Sequence, residues 1–318
     1  MRNESIQAPI LGSLSTLAIL INSSVCLLVY AKKELRTHTN GFVVSLAISD
    51  LFTGITQFCI YLLRQEGRLF FNVTYALSFF GGVTTLCAVT WDRYVAVMNP
   101  LKYEHVVSRY FKAVLATSWS FTFAIALIPL TWVLNEETIR LDVLGHKIYH
   151  FVSIGLGCVV PYCATILGHF QIYHQAKKCL RQDMLRETLC HKQKSLLRKV
   201  FIEAKIARVF VLVTLMFFVS WFPLVFYTLA FASGKPGIVP EIWIYDVTPA
   251  FIALRSIANP FIYSLLKPDF VNALKKLLKL PMNHQMVLPC FQQHSMQTRN
   301  WNFEKNKSFN AVGENVAQ

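Results

Sequence analysis

Residues 70–98 read FFNVTYALSFFGGVTTLCAVTWDRYVAVM, a largely apolar run that closes on Asp92-Arg93-Tyr94. About 20 consecutive apolar residues suffice for a helix to cross the hydrocarbon core of a bilayer, and this stretch exceeds that. Its charges lie at one end, as expected of a span that stops at an aqueous face. Six further apolar blocks lie on either side of it, at 10–31, 41–63, 111–134, 149–174, 207–232 and 242–266. The first lacks the basic leader and small-residue cleavage site of a signal peptide and is long enough to span. The whole chain is 54% hydrophobic and 15% charged. A soluble domain carries about 25% charged residues, so the composition argues against a soluble enzyme.

The sequence has 31 Lys+Arg and 17 Asp+Glu, a formal charge of +14. On a soluble protein such an excess suggests a nucleic-acid partner. Here 23 of the basic residues fall in 32–40, 99–112, 175–208 and from 267 onward, against 6 in the alternate segments. The positive-inside rule makes the first set cytoplasmic and the N-terminus extracellular. The positive charge then faces anionic lipid and a cytoplasmic partner, and no nucleic acid is expected. The expected layout is an extracellular N-terminus at 1–9, a seven-span bundle at 10–266, an amphipathic helix at 267–281 and a disordered tail at 282–318. Asn3-Glu4-Ser5 is a glycosylation sequon on the outer side, with Asn3 as acceptor. None of the 8 cysteines lies in an outer loop, so no disulfide is expected. Cys290 in the tail is a candidate for palmitoylation.

Ionisable groups within a membrane need a partner or a role. Asp50 sits in the middle of the second span and Arg255 in the middle of the seventh. Asp92 and Arg93 close the third, and Glu203 opens the sixth. Pro129, Pro161, Pro223 and Pro260 each remove a ladder donor and favour a kink. Kinked spans offer packings close in energy, which suits a switch. No H-x-x-x-H spacing in any span suggests a metal, and no G-x-S-x-G elbow suggests a hydrolase. Asp50 is the only deep carboxylate, too few for a proton relay. The expectation is a protein with no enzymatic activity, no cofactor and no metal.

The motifs occur one per span and in order. They are Asn22, then Leu46-Ala47-Ile48-Ser49-Asp50, then Asp92-Arg93-Tyr94 followed by Pro100-Leu101. Trp119, Pro161, the set Phe217, Trp221 and Pro223, and Asn259-Pro260-Phe261-Ile262-Tyr263 follow, with Phe270 in a basic amphipathic stretch. Over about residues 10–280 the chain resembles rhodopsin-like (class A) G-protein-coupled receptors. The resemblance implies an all-α fold, a seven-transmembrane helix bundle with a short amphipathic cytoplasmic helix after helix seven. It implies a plasma-membrane receptor that passes an extracellular signal to a heterotrimeric G protein by opening of helix six. Asp92, Arg93, Tyr94, Leu101, Glu203, Asn259, Pro260 and Tyr263 would form the coupling end and switch. Val83, Pro161, Phe217, Trp221 and Pro223 would form a packing switch beneath the ligand. Asn22, Asp50, Arg255 and Ser256 would form a polar site in mid-membrane. The stretches 259–265 and 92–103 also resemble odorant receptors, whereas Trp221-Phe222-Pro223 does not. A seven-span transporter or intramembrane enzyme is the other alternative.

Departures from the family pattern narrow the reading. Arg68 stands where the family has a helix-three cysteine, and 135–148 has none, as in receptors related to the melanocortin, lysophospholipid, cannabinoid and adenosine group. Gly82 and Arg255 replace residues that resemble a sodium site in many members, and Arg255 is expected to pair with Asp50 and displace the ion. His169 replaces the tyrosine that meets the freed arginine, and an imidazole titrates near pH 6.5, so weaker or pH-sensitive signalling is expected. Tyr75 replaces the aspartate of amine receptors, and Ala253 the retinal-binding lysine of opsins. Thr228 stands where adenosine receptors have an asparagine. The expected cavity is lined by Tyr75, Phe79, Ser153, Leu224, Val225, Thr228 and Asp246 above Trp221. It is aromatic and sparsely charged, and it suits a small neutral or lipid-like ligand.

Overall fold

A computed structural model describes residues 4–63, 68–130, 139–185, 191–266 and 268–277. Helices α1 (Glu4–Ala31), α2 (His38–Tyr61), α3 (Arg68–Met98) and α4 (Tyr103–Leu127) come first. Helix α5 has a first segment Ile139–Ile154, a π-helical turn Gly155–Val159 and a long segment Val160–Leu185. Helix α6 is His191–Ala232, α7 is a π-helical turn Trp243–Val247 continued by Thr248–Leu266, and α8 is Pro268–Leu277. Six helices of the described residues are long and apolar enough to cross a membrane, and α7 is the seventh of the bundle.

Local chemistry sets the ends. Thr37 caps α2 by accepting from the Asn40 N–H at 3.2 Å. Pro100 cannot continue α3, which ends at Met98. Beyond α6, Gly234 takes φ 77°, a conformation glycine adopts without a Cβ clash, and the Lys235 N–H returns to the Ala230 carbonyl at 2.9 Å. The π-helical turn of α5 lies just before Pro161, which has no N–H to offer the turn behind it.

The helices run past the apolar blocks. α1 starts at Glu4 rather than 10, α4 at Tyr103 rather than 111, α6 at His191 rather than 207, and α5 continues to Leu185. Hydropathy marks the part of a helix that meets hydrocarbon, whereas the backbone ladder continues through polar residues into the headgroup layer. The Asn3 side chain and the tail from 278 on lie outside the described residues.

α3 is the central post. It packs against α2, α4, α5 and α6, while α1 packs on α2 and α7, and α6 on α7. Phe42, Leu46, Val83, Val89, Phe210, Phe217 and Trp221 share one apolar core. Trp119 of α4 ties to α2 by donating from Nε1 to Ser45 Oγ at 2.9 Å, and Ser45 meets Thr85 of α3 at 2.9 Å. Small residues permit these approaches: a Cβ on Gly157 of α5 would sit 2.7 Å from the Phe80 ring. Met1–Ala273 forms one compact unit.

Candidate functional site

Three clusters along the bundle take up most of the singled-out residues. The first surrounds Arg93, which is 2% exposed. Its Nε and Nη2 donate to Asp92 Oδ2 at 3.1 and 2.6 Å, and its Nη1 pairs with Glu203 of α6. Nη2 also donates to Thr39 Oγ1 of α2 at 2.6 Å and to the Tyr103 hydroxyl of α4 at 3.2 Å. Thr39 and Tyr103 in turn donate to Asp92, each at 2.9 Å. One guanidinium thus joins α2, α3, α4 and α6, and both oxygens of Asp92 are satisfied. Burying a charge pair is costly unless its remaining donors and acceptors are filled, and here they are.

Tyr94 packs beside Val97, Ile172 and Val200. Leu101, between α3 and α4, is an apolar side chain left 78% exposed. His169 of α5 approaches Thr90 Oγ1 at 3.4 Å through Nε2, and among the described residues its Nδ1 has no hydrogen-bond partner. Tyr263 lies in α7, but its side chain falls outside the described residues.

The second cluster lies around Asp50, fully buried in α2. Arg255 Nη2 of α7 lies 2.6 Å from Asp50 Oδ1. Ser256 Oγ donates to Oδ1 at 3.2 Å and Asn259 Nδ2 to Oδ2 at 2.8 Å. Asn22 of α1 donates to the Ser256 carbonyl at 2.9 Å, so α1, α2 and α7 meet here. Pro260, also buried, follows Asn259 in the same helix. The guanidinium carbon of Arg255 sits 4.8 Å from the centre of the Phe217 ring of α6.

The third cluster is aromatic. Phe79 lies 5.1 Å from Trp221 and 6.0 Å from Phe217, and Tyr75 meets Trp221 edge-on at 6.2 Å. Val83 is buried in the same core, with Leu224 and Val225 packed against it. Pro161 reaches α3 through its carbonyl, which accepts from Cys87 Sγ at 3.3 Å. Pro223 lies inside α6, two residues after Trp221 and six after Phe217. Of the other expected lining residues, Ser153 donates to the His150 carbonyl and Thr228 to the Leu224 carbonyl, each within its own helix. Asp246 lies half-buried in the π-helical turn of α7.

Thr39, Tyr103 and the Arg255–Phe217 contact are absent from the sequence reading. A polar residue at the start of α2 and another just after Pro100-Leu101 were the available signals for the first two. Nothing in the sequence marks an aromatic ring as the seat of a buried guanidinium.

The 7 transmembrane receptor (rhodopsin family) pattern matches residues 21–263, which contain all three clusters. The chain belongs to that family, a non-enzymatic class of multi-pass membrane receptors. It is accordingly a ligand-activated receptor that signals through a heterotrimeric G protein. It is 26% identical over 302 residues to the adenosine receptor A2a of Canis lupus familiaris, covering 84% of this chain and 70% of that one. It is 27% identical over 305 residues to the histamine H2 receptor of the same species, covering 91% and 84%. It is 25% identical over 301 residues to the adenosine receptor A2b of Mus musculus, covering 83% and 87%.

Proposed function

We propose that the Arg93 cluster is the closed state of a G-protein switch, with the N-terminus outside the plasma membrane and the Arg93 end in the cytoplasm. The observation that carries this is the pairing of buried Arg93 with both Asp92 and Glu203. The contact joins α3 to α6, so displacement of the inner end of α6 breaks it and frees the arginine. Leu101 offers an exposed apolar side chain to the G protein beside it. His169 receives the freed arginine less well than a tyrosine hydroxyl would. An agonist acts by binding the open packing more tightly than the closed one.

The ligand is neither an amine nor retinal. Relatives named for adenosine and for histamine match at similar identity, so their names do not choose between ligand classes. The residues do. Tyr75 offers no carboxylate to an ammonium group, and Ala253 offers no amine for a Schiff base. Tyr75, Phe79 and Trp221 form an aromatic floor that suits a small neutral or lipid-like molecule. The Arg255–Asp50 contact supports a second reading, in which the arginine serves as the counter-charge of Asp50 in place of a free ion.

The test is expression in cultured cells with cAMP and calcium measured without ligand, beside Arg93→Ala and Arg255→Asn. Basal output lost in Arg93→Ala and altered in Arg255→Asn is the expected result. Basal output indifferent to Arg93 at equal surface level refutes the switch. A basal output that varies with external sodium in the intact receptor and not in Asp50→Ala refutes the counter-charge reading.

A further inference from the structure

We infer that Arg255 is a latch on helix six, seated against the Phe217 ring and given room there by Gly82. The inference rests on the switch reading above and adds a second contact that must open with it.

Three observations converge. Arg255 is 2% exposed, and its guanidinium carbon stands 4.8 Å from the centre of the fully buried Phe217 ring, within cation–π range. Among the described residues its Nε and Nη1 have no hydrogen-bond partner. Asp50 and Ser256 engage only Nη2, so the ring face is what the structure offers the rest of the group. A Cβ on Gly82 of α3 would stand 2.2 Å from Phe217 Cε2, inside any allowed contact. Any larger residue at 82 displaces the ring by about 1 Å or more from the place where the arginine meets it. The absent side chain of Gly82, the ring of Phe217 and the charge of Arg255 therefore act as one device.

The device joins α6 to a fixed point. Asp50 holds the guanidinium from α2, and Ser256 and Asn259 hold the carboxylate from α7. When α6 moves, Phe217 leaves the guanidinium while Asp50 keeps it. The closed packing therefore has the ring contact and the open packing lacks it, the difference in contacts that a two-state switch needs. Removing a desolvated cation–π contact shifts such an equilibrium by about 3- to 30-fold.

Basal nucleotide exchange by a heterotrimeric G protein, measured on purified full-length receptor in nanodiscs without ligand, tests this. The variants are Phe217→Leu and Gly82→Ala, with Glu203→Ala as the control for coupling. The expected result is exchange raised about 3- to 30-fold by Phe217→Leu and by Gly82→Ala. Gly82→Ala combined with Phe217→Leu should do no more than either alone. Phe217→Leu at the wild-type level, with Glu203→Ala raised, overturns the latch and leaves the switch reading standing. If Glu203→Ala is silent as well, the switch reading fails. The latch is then decided by a thermal-unfolding cycle of Phe217→Leu and Arg255→Gln: coupled midpoint changes support it, and additive changes overturn it.

Discussion

Glu203→Ala isolates the contact that holds α6 to α3. Arg93 is buried while the Glu203 side chain is 27% exposed, so the pair lies between the surface and interior limits. Exposed pairs contribute about 0–1 kcal/mol, and breaking a fully buried pair costs about 3–5 kcal/mol. Arg93 keeps Asp92, Thr39 and Tyr103 when Glu203 is removed, so no charge is left unpaired. The closed state therefore loses about 1–2 kcal/mol, and at 1.4 kcal/mol per decade the open fraction rises about 5- to 30-fold. The assay is basal cAMP and calcium in cells at matched surface level, with basal nucleotide exchange on membranes as the second measure. A Glu203→Ala receptor that reaches the surface and signals no more than wild type refutes the assignment. Asp92→Asn serves as a second perturbation of the same arginine and should move basal output in the same direction.

Asp50→Ala should leave the Arg255 charge buried without its partner and cost about 3–5 kcal/mol, seen as poor surface delivery; the double variant with Arg255→Ala should recover part of the loss, and normal delivery of the single variant would contradict the pairing. Leu101→Ala should lower G-protein activation without changing receptor level or thermal stability, because the side chain is 78% exposed. Trp119→Phe removes the Nε1 donor to Ser45 and should cost about 1 kcal/mol of stability, read as a lower unfolding midpoint in detergent. His169→Tyr supplies a hydroxyl where α5 now has an imidazole and should raise maximal signalling; an unchanged or lower maximum would argue against His169 as the receiver of the freed arginine.

The bundle was legible because a run of apolar residues the length of a bilayer has few other uses. The ends were not, since α4 and α6 begin among polar residues that hydropathy assigns to loops, and helix continuation there follows the backbone ladder. Asp50 and Arg255 were legible as a pair because two opposite charges on membrane spans each require a partner. Arg93 and Glu203 were legible through their motif and position. Thr39 and Tyr103 were not, because which face of α2 and α4 turns toward Asp92 depends on packing rather than composition. The π-helical turn in α5 leaves one signal, Pro161, and a proline alone equally suits a plain kink. The Phe217–Arg255 contact left none, since an aromatic residue in a span is ordinary core until a neighbour's charge is placed over it.

The Asp50–Arg255 pair also bears on how the chain is built. The second span is made early and the seventh last. An arginine at the centre of an isolated span opposes insertion by about 2.5–3.5 kcal/mol, and an aspartate by a similar amount. Each helix carries the remedy for the other, with most of the chain synthesised in between. The last helix is therefore expected to integrate stably only against the assembled earlier ones, which makes Asp50 a checkpoint of biogenesis as well as a part of the finished receptor.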